Sequence, residues 1–254
     1  RYAFSGTLVS NIVAPIKDTI RLMPDNTLGL TYQTPATGLE LYGKGRIYSR
    51  ITLNRKGFIA SGRVNLNQSD FNSDTILMLP GQMSAHTHEI KVEAVKDQRP
   101  GMQGKDVQIS YIPYTGSLLA RSVASPFEMY HGRIKHEGTM KIYENLLDAS
   151  GKMFLEGAEL QSGLIHCKPE QILSAKAALN IASVLNKDIH LNTSDVKAII
   201  DLSTNTGKFV NNGGGNRLTF SSSQYHCSFE NFTWYMKETY LNIGMEEQEQ
   251  LAKV

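Results

Sequence analysis

Glu128-Met129-Tyr130-His131-Gly132-Arg133-Ile134 nearly repeats a stretch the chain has already used, Glu40-Leu41-Tyr42-Gly43-Lys44-Gly45-Arg46-Ile47. The two glutamates lie 128 − 40 = 88 positions apart, and other pairs recur close to that spacing. Lys17-Asp18 returns as Lys105-Asp106, Pro24 as Pro113, Ser61-Gly62 as Ser150-Gly151, and Pro80 with Gln82 as Pro169 with Gln171. Asp106-Val107 returns once more as Asp195-Val196. A fixed period turns the fold question into how units stack, because each unit covers the apolar side of its neighbour. We read about two and a half copies of a unit of about 88 residues, at about 17–104, 105–193 and 194–254, in one continuous β-repeat region spanning 1–254.

Within the units the hydrophobic period is two. Leu39, Leu41, Ile47, Ile51 and Leu53 alternate with polar positions, as do Val64 and Leu66 with Arg63, Asn65 and Asn67. Ile134, Met140, Ile142, Met153 and Leu155 repeat the device, with Lys135, Lys141, Lys152 and Glu156 on the opposite face. Alternation of this kind predicts half-buried strands. Gln171–Asn186 has helical spacing in Ile172, Ala175, Leu179 and Ala182, but its counterpart Ile90-Lys91-Val92-Glu93-Ala94 reads as strand, so strand is expected here too. Residues 1–16 read as a strand entry, Asn211–Asn216 as a loop around three glycines, and Glu246–Lys253 as a short helix or a disordered end. Phe232, Trp234 and Met236 fall on one strand face. The expected fold class is all-β, an elongated repeat architecture in the form of a β-solenoid or a curled, taco-like sheet.

Composition narrows the function classes. Hydrophobic residues make up 41% and charged residues 20% of the 254, which suits a folded chain rather than a disordered one. A net charge of +2, with no Lys/Arg run longer than two residues, provides no electrostatic footprint for nucleic acid. No apolar run approaches the ~18 residues of a membrane-spanning helix. The chain reads as a fragment of a longer one, cut in mid-register.

Four features invite a chemical reading. Leu79-Pro80-Gly81-Gln82-Met83-Ser84-Ala85-His86-Thr87-His88 resembles the Pro-Gly-x-x-Asp-x-His-x-His entry of metal-dependent amidohydrolases, which implies an ion held by His86 and His88 on one strand face. Ser84 stands where that pattern needs Asp, and the repeat puts Ala175 and Ala177 in place of the pair, so both are read as strand histidines on a semi-buried face. His166-Cys167 and His226-Cys227 could together offer four zinc ligands, but adjacent strand residues point to opposite faces. A Cys167–Cys227 disulfide and two buried thiols both remain open. Asp18, Asp106 and Asp195 recur in register and read as turn residues. Phe229, Phe232, Trp234 and Tyr235 could form a sugar-stacking platform; core packing of alternating aromatics is the reading preferred. No carboxylate pair, nucleophile elbow or phosphate loop is present, so no catalytic, cofactor or metal residue is nominated, and an enzyme is not expected.

Lys105-Asp106-Val107, Pro113, Pro126-Phe127-Glu128-Met129-Tyr130 and Ser150-Gly151-Lys152-Met153-Phe154-Leu155-Glu156-Gly157-Ala158-Glu159-Leu160 resemble the repeats of very large cell-envelope proteins of Bacteroidota. Those are distantly similar to AsmA/TamB-like and OstA-like β-rich proteins, whose sheets curl into a groove that shields lipid chains. The resemblance implies an extracytoplasmic location, in the periplasm or outer membrane of a Gram-negative bacterium. It also implies a structural or scaffolding role with a groove for lipid, and partners among neighbouring repeats or other envelope proteins. It brings no catalytic residues. A glycan-binding or glycan-cleaving β-helix is the alternative, and an amidohydrolase-like enzyme using His86 and His88 the less favoured third.

Overall fold

The computed structural model describes residues 3–182, 190–213, 215–221, 225–238 and 240–244. The fold is all-β: among the described residues there are twenty-one strands and no helix, and every described strand pairing is antiparallel. The chain divides into two compact units, Arg1–Glu93 with Gly101–Phe127 and Thr139–Asn145, and Ala94–Pro100 with Glu128–Gly138 and Leu146–Val254.

The first unit holds β1 (Ala3–Leu8), β2 (Ile16–Leu22), β3 (Leu28–Gln33), β4 (Leu39–Leu41), β5 (Gly45–Asn54), β6 (Gly57–Leu66), β7 (Ser69–Leu79), β8 (Gln82–Val92), β9 (Met102–Ile112) and β10 (Ser117–Ser122). Strands β5 to β10 form a meander in which each strand pairs with the next. β3 and β4 lie beside β5. β11 (Phe127–Met129) and β12 (Ile134–Ile142) give residues to both units.

The second unit continues the pattern with β13 (Leu147–Leu155), β14 (Ala158–Cys167), β15 (Gln171–Ala182), β16 (His190–Asp201) and β17 (Thr206–Asn211), again each beside the next. β18 (Arg217–Phe220) and β19 (Tyr225–Ser228) form a hairpin against the start of β16. β20 (Asn231–Tyr235) joins β17, and β21 (Leu241–Gly244) joins β20. The stretch with ambiguous periodicity is strand from Gln171 to Ala182, and residues 183–186 lie outside the described residues. So do Gly214 and the polar tail at 246–253.

Tight turns set the register. Between β6 and β7 only Asn67 and Gln68 intervene, with φ of 51° and 56°, the paired left-handed conformation whose twist matches that of the flanking strands. The Asn67 amide then donates to Gly116 O at 2.8 Å and Ile142 O at 3.0 Å, fastening the turn to its own unit.

In each unit one face of the sheet is apolar and buried. Val64 and Leu66 keep 0% of their accessible surface and Val92 2%; in the second unit Met153 keeps 0%, Leu155 9% and Ile181 6%. The alternation slips by one residue in most long strands. Ser73 and Ile76 of β7 both face inward, as do Thr87 and Ile90 of β8, Gly104 and Val107 of β9, Ser174 and Ala177 of β15, and Thr193 and Val196 of β16. These are β-bulges, whose extra residue bends the strand while keeping the same face buried.

A bulge strands backbone carbonyls, and hydroxyls take them up. Ser73 Oγ donates to Thr75 O at 2.9 Å, and Thr87 Oγ1 sits 2.6 Å from Asn72 O and 2.7 Å from Glu89 O. In the second unit Ser162 Oγ reaches Lys176 O at 2.6 Å and Ser174 Oγ reaches Leu164 O at 3.0 Å. Here the expectation for Asp18, Asp106 and Asp195 is corrected: all three stand inside strands, Asp18 in β2, and Asp106 and Asp195 at the bulges of β9 and β16, each of these two with φ of 54°. A short acidic side chain tolerates that left-handed conformation better than a branched one would.

Candidate functional site

His86 and His88 leave β8 on the exposed face, with buried Thr87 between them. The face expected to be semi-buried is open to solvent. Their rings lie 6.1 Å apart, edge to face. His86 Nε2 is 2.7 Å from Asp106 Oδ1, a diagonal neighbour on β9 two residues along from Gln108, which pairs with His86. Among the described residues no three His, Cys, Asp or Glu side chains converge as metal ligands would. A related pairing occurs in the second unit, where Lys176 Nζ lies 3.1 Å from Asp195 Oδ2. The Asn212 amide and that ammonium hold the Asp195 carboxyl below the usual carboxylate range. The first is a histidine–carboxylate contact and the second a lysine–carboxylate ion pair, each on the outer face of its sheet region.

The His-Cys dipeptides separate as strand geometry requires. His166 points outward, 2.7 Å from Asp148 Oδ1, while Cys167 points into the core. Both cysteines are free thiols, Cys167 buried and Cys227 half-buried. Burial pushes the Cys167 thiol far above its ordinary value, so it stays protonated. Beside it the Tyr130 hydroxyl donates to Lys168 O at 2.7 Å, and burial likewise raises its pKa. In the first unit the Tyr42 hydroxyl donates to Leu79 O at 2.7 Å.

Three of the four aromatics pack as core, whereas Tyr235 is half-buried and meets the exposed Tyr240 at 5.2 Å. Phe232 and Trp234 are buried, Phe232 stacks on Phe209 at 4.8 Å, and Phe229 meets Phe232 edge-on at 5.5 Å. No aromatic platform of the kind a sugar would stack on is left among these three side chains.

Two of the clefts among the described residues bear on function and went unread in the sequence. One, of about 380 Å³, is lined by Glu159, Gln161, Asn180, Asn192, Ser194, Arg217 and Thr219 among others. Its lining holds a single carboxylate, Glu159, already 2.8 Å from Lys152 Nζ, whereas glycoside cleavage needs two carboxyls about 5–9.5 Å apart. The other, of about 520 Å³, opens between β2 and β3 and is lined by Arg21, Leu22, Met23, Pro24, Thr31, Gln33 and Arg50. The outward polar positions of β14–β16 were a faint sign of the first. Nothing short of strand pairing could have announced the second.

By fold, then, the chain is an all-β protein of antiparallel meanders with buried apolar faces. It matches no protein family, no curated protein and no solved structure.

Proposed function

We propose that this chain is a structural, scaffolding module of a bacterial cell envelope, an elongated β-repeat (solenoid or curled sheet) made of stacked units of about 88 residues. The observation that carries the reading is the recurrence of pairing at a fixed offset. β9 and β10 pair from Ser117↔Ile112 to Ser122↔Val107, and β16 and β17 from Thr206↔Asp201 to Asn211↔Val196, each residue advanced by 206 − 117 = 89. Met83↔Tyr111 and Val92↔Met102 recur as Ile172↔Ile200 and Ile181↔Leu191. The register slip between Ala60 and Gly62 recurs between Ala149 and Gly151. Even single bonds return: Glu93 N to Gln68 O at 3.0 Å and Ala182 N to Gly157 O at 2.9 Å, or the Tyr42 and Tyr130 hydroxyl bonds, both 2.7 Å.

Units of this kind leave strand edges that the next unit covers, which favours neighbouring repeats or other envelope proteins as partners. The extracytoplasmic placement rests on the resemblance alone. Between scaffold and lipid carrier, the buried interior favours scaffold: Ile47, Val64, Met78 and Ile90 of the first unit and Ile165, Ile172, Val196 and Ile200 of the second keep 0% of their surface, so these inward positions offer nothing open to an acyl chain. The test is incubation of the purified chain with phospholipid micelles and with an immobilised glycan panel. Scaffolding expects neither stoichiometric lipid nor glycan retention. Bound lipid would turn the reading to a carrier, and retained glycan to the alternative.

A further inference from the structure

We infer that the open seam between β2 and β3 is a docking site for an extended polypeptide segment in which carboxylates alternate with apolar side chains. This rests on the repeat reading for its picture of a filled seam. β9–β10 and β16–β17 each pair over six residue positions, whereas β2–β3 pair at only two, Arg21↔Gly29 and Leu22↔Leu28. Beyond them β3 has no partner on that side among the described residues, and the cleft of about 520 Å³ opens there.

The direction of the free backbone groups follows from the other edge. Thr34 N donates to Ser49 O, on the β5 side. Alternation along a strand then turns the N–H and C=O of Thr31 and Gln33 toward the seam. An unpaired edge of this kind accepts an added strand through main-chain hydrogen bonds, with side chains deciding which strand.

The side chains set the chemistry. Arg21 pairs opposite Gly29 and Arg50 opposite Gln33, so both guanidiniums share one face of the sheet and flank the seam. Both line the cleft, and no carboxylate lies within ion-pair distance of either among the described residues. On the opposite face Leu22, which lines the cleft where the β2–β3 pairing ends, stays 57% exposed. An inserted strand therefore meets Arg21 and Arg50 with one row and the uncovered Leu22 with the other, which calls for alternating acidic and apolar residues. Charge complementarity of this sort governs partner choice more than raw affinity.

The test uses the whole chain and two short capped peptides, one alternating valine with glutamate and one alternating valine with lysine, read by amide hydrogen exchange. In the free protein Thr31 and Gln33 should exchange fast, while Leu119 and Arg121 of β10 exchange slowly. The glutamate peptide should slow Thr31 and Gln33 at concentrations about tenfold below those at which the lysine peptide does. Thr31→Pro should abolish the effect without weakening β3–β5, because that N–H points away from β5. The pair Arg21→Glu with Arg50→Glu should reverse the peptide preference. Thr31 and Gln33 already as slow as Leu119 would mean that β2 closes the seam itself, and would overturn the proposal. So would equal binding of both peptides, or none. Protection that grows with protein concentration alone would give the seam to a second copy and equally sink the acidic segment. Fast exchange at Leu119 and Arg121 would instead remove the repeat reading on which the picture of a filled seam rests.

Discussion

Tyr130→Phe isolates one hydroxyl. It donates to Lys168 O at 2.7 Å from a residue only 8% exposed, so its loss removes a neutral hydrogen bond worth about 1 kcal/mol. For a chain of this length that is a fall in Tm of about 2–4 °C. Tyr42→Phe removes the corresponding bond to Leu79 O from a half-buried ring and should cost less, about 0.5 kcal/mol. The pH dependence sharpens the test. Burial raises the Tyr130 pKa, so the folded state prefers the neutral phenol; its contribution is complete below the ordinary tyrosine value of 10.0 and is lost as pH rises beyond it. Above that value the unfolded state loses the proton first, and stability falls by up to about 1.4 kcal/mol per pH unit for each such tyrosine. Urea unfolding of wild type and Tyr130→Phe from pH 8 to 11 should therefore show a gap that narrows once pH passes 10. A variant as stable as wild type at pH 8, or a gap that does not change with pH, would refute the buried donor.

Gly151→Ala should cost about 1–3 kcal/mol from its φ of 127° alone, with a further clash of the new methyl against Glu137 O, whereas Gly163→Ala, with open space around it, should be nearly neutral; chemical denaturation of the two separates them. Native thiol titration should label Cys227 and spare Cys167, with both reacting after unfolding; rapid native labelling of Cys167 would contradict its burial. The Asp201 carboxylate accepts from Ser203 Oγ at 2.6 Å and Thr204 N at 3.0 Å, which depresses its pKa, so the stability it lends is present above the ordinary value of 3.8 and lost as pH falls. Asp201→Asn should flatten the acid limb of the stability profile, and an unchanged limb would count against this turn.

The apolar side of the fold was readable because burial leaves a period-two trace. Val64, Leu66, Met153 and Leu155 announce their inward face, and so does the row from Phe232 to Met236. The bulges left a weaker trace. In β9, Met102 and Gly104 are inward on even numbers and Val107, Ile109 and Tyr111 on odd ones, so a parity slip at Lys105-Asp106 marked the extra residue, yet the recurring Asp looked like turn chemistry. For His86 the alternation placed it on the same side as His88 but gave neither that side's exposure nor its partner, because Asp106 comes from the neighbouring strand and no spacing along the chain encodes that. The β2–β3 seam was least legible of all, being defined by hydrogen bonds that are missing.

Excision of one full period, Pro113–Asp201, joins Ile112 to Leu202 and so offers β17 the strand β9 in place of its equivalent β16. If units recur as layers, the shortened chain should retain a strand-type circular dichroism spectrum and unfold cooperatively, while removal of the half period Pro113–Glu156 should leave an uncooperative or aggregating product. A full-period deletion that behaves no better than the half-period one would contradict recurrence, and the scaffold reading with it.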